Sequence, residues 1–185
     1  MLKFKPTIIV DEIAQIVDKV SNELTPSFRQ LDDKISGVHF LHGHPIEVAQ
    51  TLSDRSQTNK FKFQKYPLIA LLQDFPEVKS EIGVESEVSL HIIICKGTDP
   101  NYKSYQRYDE NFKPYLYPVY SEFLNQLHLH KKFLTKSAES IQHTKIDRLF
   151  WGVSAEHGNI KNIFCDHLDI IEIRDLKLKT QLNYC

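Results

Sequence analysis

The sequence predicts an α+β fold: a mostly antiparallel sheet of about four to five strands with two long helices packed on it. Three observations predict it. Two stretches place apolar residues at helical spacing. Several others alternate with a period of two or are apolar throughout. The connections inside each strand pair suit hairpins better than helical crossovers, which puts the helices on one face.

The first helix is expected from Thr7 to Leu24, where Ile9, Ile13, Ile16, Val17, Val20 and Leu24 share one side. Thr7 is placed to cap it, Asp11 and Glu12 sit near the positive end of its dipole, and Pro6 and Thr25-Pro26 mark its limits. A short strand, Gly37 to Leu41, comes next, then a short helix from Pro45 to Leu52 carrying Ile46, Val48, Ala49 and Leu52. Ser53 to Lys65 reads as a polar, basic loop. Tyr66 to Leu72, YPLIALL, is apolar on both faces and so reads as a central strand.

Ser86 to Cys95 alternates cleanly, with Val88, Leu90, Ile92 and Ile94 on one face and Ser89, His91, Ile93 and Cys95 on the other. A long connection, Gly97 to Pro114, leads to the second long helix, in which Leu116, Val119, Tyr120, Phe123, Leu124 and Leu127 recur at helical spacing. Two strands close the chain, around Ile146 to Trp151 and Leu168 to Lys179, joined by a turn-rich segment with Gly152, Gly158 and Asn159. In the last strand the apolar phase shifts between Ile173 and Leu176, which a β-bulge at Arg174 and Asp175 explains.

The 185 residues suit a single domain spanning the whole chain. With 41% hydrophobic and 25% charged residues, the composition is that of a folding chain. A net charge of -1 supplies no global field for nucleic acid or anionic membrane, so sequence-specific nucleic-acid binding is not expected. Cys95, Cys165 and Cys185 are odd in number and widely spaced, which argues against a disulfide framework or a zinc knuckle and fits a reducing compartment. The N-terminus lacks the pattern of a signal peptide, and no apolar run is long enough for a membrane span.

Two constellations invite a chemical reading. His39, His42 and His44, with His128 and His130, have spacings a metal could use, but no carboxylate or thiolate completes either set locally, so they read as solvated side chains. Asp175-Leu176-Lys177, with Asp147, Asp166 or Asp169 upstream, mimics the carboxylate-lysine core of metal-dependent nucleases; a charged solvent face explains the same residues. A nucleophilic Cys95 would need a nearby base, for which His91 is only a same-face neighbour on the strand, so Cys95 reads as a small buried thiol. No GxSxG, HExxH or P-loop is present, and neither a cofactor nor a metal ion is expected.

The most informative segment is Tyr102 to Tyr117, where Tyr102, Tyr105, Tyr108, Phe112, Tyr115 and Tyr117 interleave with Lys103, Arg107 and Lys113. Aromatic and arginine enrichment marks protein interfaces, and Tyr102, Tyr105, Arg107, Tyr108, Phe112, Tyr115 and Tyr117 are its candidate contacts. Packing back over the sheet edge, or stacking on single-stranded bases, remains open at this point. Arg55, Lys60, Lys62 and Lys65, in the polar loop, are candidates for facing a lumen or partner.

The stretches GVHFLHGHPIEVAQTLSDRSQTNKFKFQKYPLIALLQDFPE, RYDENFKPYLYPVYSEFLNQL and FCDHLDIIEI resemble small proteins of bacteriophage and prophage structural modules. The element order is similar to that of phage tail-terminator and neck (head-tail joining) proteins. The resemblance implies a self-assembling ring, usually hexameric, that caps the tail tube and docks it to the head connector. It also implies a place in the host cytoplasm during assembly and then in the virion, with no catalytic residues to carry over. This chain departs from the simplest members through residues 25 to 65 and 97 to 114. The alternatives are a metal-dependent nuclease using Asp175 and Lys177, and a non-viral interaction adaptor.

Overall fold

The computed structural model describes residues 4–5, 7–57, 65–79, 85–151, 153–156, 159–162, 166–181 and 183–184. Helix α1 spans Ile9–Leu31, seven residues beyond the expected end. Pro26 lies inside it, although proline removes a helical N–H and crowds the preceding turn. Burial explains the continuation: Phe28 is 2% exposed and meets Tyr115 edge to face at 5.2 Å, so the turn after the proline is anchored by the core. Thr7 does not cap the helix; Ile8 occupies the cap position without a side-chain hydrogen bond.

Strand β2 (His39–Gly43), helix α2 (Pro45–Gln57) and strand β3 (Leu68–Leu72) follow. β2 and β3 are parallel, so α2 is a helical crossover where a hairpin-like order was expected. Short β4 (Glu77–Lys79) precedes β5 (Glu85–Gly97), and β6 (Thr144–Trp151) and β9 (Leu168–Gln181) complete a six-stranded mixed sheet. Its order is β2-β3-β5-β9-β6, with β4 beside β5, and apart from β2–β3 its pairs are antiparallel. The fold is α+β. Between β6 and β9, the expected turn-rich stretch holds a small hairpin, β7 (Val153–Glu156) with β8 (Asn159–Asn162); Gly152 and Gly158 lie outside the described residues. Strands β1 (Phe4–Lys5) and β10 (Asn183–Tyr184) pair antiparallel.

The segment expected as a connection from Gly97 to Pro114 is largely helical. Helix α3 (Ser104–Arg107) runs into a π-helical segment, Tyr108–Leu116, and then into α4 (Tyr117–Leu129) without a break. At the end of the wide segment the Tyr117 N–H bonds Phe112 O, five residues back. The residues that turn inward here are Arg107, Asn111, Phe112, Tyr115 and Leu116. The inward residues keep a helical spacing, but the first two, Arg107 and Asn111, are polar, so the apolar pattern starts to read only further along.

Both faces of the sheet carry buried apolar residues. On the first, α1 and α4 cover Ile69, Leu71, Val88, Leu90, Ile92, Ile94, Ile171 and Ile173. On the second, Val48, Ala49 and Leu52 of α2 cover Leu68, Ala70, Ile93, Cys95, Leu168 and Ile170. The helices therefore do not share one face as expected: a parallel β2–β3 pair requires its crossover to lie on one side, and α1 and α4 already fill the other. The bulge falls where the phase shift placed it: Ile92 pairs with Ile173 and Leu90 with Leu176, leaving Arg174 and Asp175 opposite His91, with Asp175 at φ +51°.

Candidate functional site

The aromatic segment divides by burial. Arg107, Phe112 and Tyr115 are buried within the chain, Tyr102 and Tyr117 are half-buried, and Tyr105 and Tyr108 stand out at 64% and 48% exposure. Arg107 is a fold residue where an interface contact was expected. It is fully buried and every nitrogen of its guanidinium is engaged: Nε donates to Tyr102 O, Nη1 to Thr98 Oγ1 and to Asp169 Oδ1 at 2.9 Å, and Nη2 to Asp99 O. Asn111 Nδ2 donates to the second Asp169 oxygen at 2.8 Å, so the carboxylate on β9 is satisfied by one helical face.

Phe150 closes this hub from the sheet edge. Its ring lies 3.4 Å from Arg107 Cζ, while its own backbone sits in the left-handed region at φ +52°. The consequence is positional: the Arg107–Phe150 contact ties the end of outer strand β6 to the start of the long helix, and Leu149 and Phe150 on the strand and Tyr105 and Tyr108 on the helical segment are all exposed. Further along, Tyr117 donates to Asp147 Oδ2 of β6 at 2.9 Å and lies under the Lys145 ammonium at 4.8 Å. Partial burial and the Asp147 bond push the Tyr117 phenol up to about 12, so it stays a neutral donor. Exposed aromatic and apolar residues thus lie on both elements that meet at Arg107 and Phe150, and the outer edge of the strand, among the described residues, pairs with nothing.

The polar-loop residues fare differently. Ser53 to Gln57 continue helix α2, so Arg55 is a helical residue; its charge, after burial, lowers the pKa of His39. Lys60 and Lys62 lie outside the described residues. Lys65 is 5% exposed and bonded to Asp166, which also accepts from Tyr66 Oη at 2.9 Å; it turns inward because a buried ammonium needs a carboxylate.

Asp175 and Lys177 line one shallow surface with Glu139 to Thr144, but their proposed carboxylate partners are engaged elsewhere. Asp147 serves Tyr117 and Lys145, Asp166 serves Lys65 and Tyr66, and Asp169 serves Arg107 and Asn111. The histidines likewise separate: His39 meets Ser36, His42 meets Gln73, His128 meets Thr135 and His130 meets Glu12. Among the described residues, no group of three or more His, Cys, Asp or Glu side chains could hold a metal ion. Cys95 is buried beneath α2, where burial and then the Asp166 charge push its thiol up, away from the nucleophilic form. No described helix is long and apolar enough to cross a membrane.

Sequence reading missed the inward role of Arg107 and Lys65. The available signal was Asp169 and Asp166, carboxylates flanking an apolar strand that burial would oblige to find cations. The chain matches no protein-family model and no curated protein.

Proposed function

We propose that the chain is a structural subunit that associates with copies of itself, in the manner of the phage tail-terminator and head-tail joining proteins it resembles. The ring so formed caps the tail tube and meets the head connector. The observation that carries the reading is the exposure of Tyr105, Tyr108, Leu149 and Phe150 on the two elements joined at Arg107 and Phe150, with an outer edge of β6 that, among the described residues, pairs with nothing. Exposed aromatics flanking an open strand edge are a ready surface for a second chain. The other outer strand, β2, lies at the opposite end of the sheet. Two different edges suit a head-to-tail contact, and head-to-tail contacts close into rings when the rotation per subunit allows.

Native mass spectrometry over a concentration series, alone and with tail-tube protein, tests this. The reading expects discrete oligomers, and expects Tyr108→Asp with Leu149→Asp to weaken association by about tenfold or more. Deleting the gene from its element should leave heads and tails unjoined or tails of irregular length. A chain that stays monomeric with its partners present, and whose deletion leaves particles intact, ends the proposal.

A further inference from the structure

The second face of the sheet is only partly covered by α2, and beyond that layer lies a different charged cluster. Glu172 of β9 is 3% exposed. It accepts from Arg148 Nε of β6 at 2.6 Å, from Arg174 Nε of β9 at 2.7 Å and meets His91 Nε2 of β5 at 2.9 Å. Three adjacent strands thus converge on one carboxylate. The bulge at Arg174 and Asp175, directly across from His91, holds Arg174 on this face while returning Leu176 to the core.

Burial acts to raise the Glu172 pKa, but the bonds from Arg174, Arg148 and His91 outweigh it and hold the carboxyl below its ordinary value. It stays ionised. Stability alone does not call for such a cluster, since apolar residues of similar volume serve a sheet face as well or better. The contrast with Arg107 is instructive. There every nitrogen is engaged and the side chain is sealed; here each arginine gives Glu172 only its Nε–H. Among the described residues the Nη groups of Arg148 and Arg174 have no partner, and their side chains are 39% and 47% exposed. Two guanidinium groups against one carboxylate leave surplus positive charge, with the 36% exposed imidazole of His91 beside it.

We infer that Arg148, Arg174 and His91, organised by Glu172, form a binding site for a phosphate dianion, either free or as the head of a phosphomonoester. The guanidinium fork matches phosphate oxygens, and a buried carboxylate that fixes both forks removes much of the rotamer entropy binding would otherwise cost. A tetrahedral dianion can take Nη donors from both arginines and balance the surplus charge more fully than a single carboxylate can. Arg148 lies on β6, the residue before Leu149, but the site belongs to the second face of the sheet and not to the strand's outer edge, so it does not depend on the assembly reading.

The test is a titration of the whole chain at constant ionic strength, following the arginine Nε–H signals by NMR. With inorganic phosphate, the Arg148 and Arg174 signals should shift and saturate, while that of Arg29, which bonds Ile35 O, should not. Arg148→Lys and Arg174→Lys, which keep a cation beside Glu172 but lose the fork, should each weaken binding by about tenfold or more, and Lys113→Gln on the other face should change nothing. Phenyl phosphate binding more tightly than phosphate assigns the site to a monoester head; the reverse order assigns it to the free ion. Malonate binding as tightly as phosphate, unshifted Arg148 and Arg174 signals, or lysine variants that bind phosphate unchanged would overturn the inference. If a lysine variant fails to fold, the wild-type shifts still decide.

Discussion

At the scale of single residues, the described molecule carries two arginine clusters with opposite designs. Arg107 is sealed behind Phe150 with its charge matched by Asp169 and four backbone or hydroxyl oxygens, which ties residues 98–102, the start of the long helix and β9 together. Removing one side of such a pair strands the other charge in a dry site, which costs about 3–5 kcal/mol. Arg107→Met should therefore lower stability by that order, read from urea denaturation, and Arg107→Met with Asp169→Leu should recover much of the loss. A single variant as stable as the parent would show that Asp169 is adequately held by Asn111 alone. The positive φ of Phe150 belongs to the same cluster: its ring covers the guanidinium and its N–H points to Asp169 Oδ1 at 3.4 Å.

At the scale of elements, what was legible in the sequence was whatever repeated with a single period. The alternation of β5, the apolar run of β3 and the face of α4 all follow from spacing, and even the bulge in β9 showed as a change of phase. Two things were hidden. Pro26 reads locally as a stop, yet Phe28 draws the chain onward into the core. Arg107 and Asn111 turn inward at helical spacing from Tyr115 and Leu116, but both are polar, so apolarity did not mark them. The junction from α1 to β2 adds a close approach. A Cβ at Gly37 would lie 2.6 Å from Ser21 Oγ, the atom that accepts the Val38 N–H at 2.9 Å. Gly37→Ala should cost more than about 1 kcal/mol in thermal or chemical unfolding, and adding Ser21→Ala should return part of it. Equal stability of Gly37→Ala and the parent would mean that the serine swings aside at no cost.

At the scale of the molecule, the fold class was legible and the layering was not. An α+β sheet with two long helices follows from counting periodic segments, but the side on which α2 packs depends on a parallel pairing that no local pattern announces. The candidate surface was half legible for the same reason. Tyr105 and Tyr108 lie in the aromatic-rich segment and are exposed, while the contact of Phe150 with Arg107, which ties the end of β6 to that segment, has no mark in the sequence. The two layers also differ in depth: α1 and α4 supply a broad core, whereas α2 covers its side with Val48, Ala49 and Leu52. Leu52→Ala should cost about 2–5 kcal/mol, as expected for a large-to-small change at a 1% exposed position, and should speed reaction of Cys95 with a thiol reagent in the folded protein. An unchanged labelling rate would mean that α2 settles into the gap.

That thinner layer holds a built-in optical reporter. The chain has one tryptophan, Trp151, and it packs with Leu52 and Cys95 on the second face, away from α1 and α4. Its emission and the Cys95 thiol therefore watch one wall of the molecule while far-ultraviolet ellipticity watches all of its helices. If α2 lifts before the rest, fluorescence and labelling will move at a lower denaturant concentration than ellipticity; if the walls separate together, the curves will overlay.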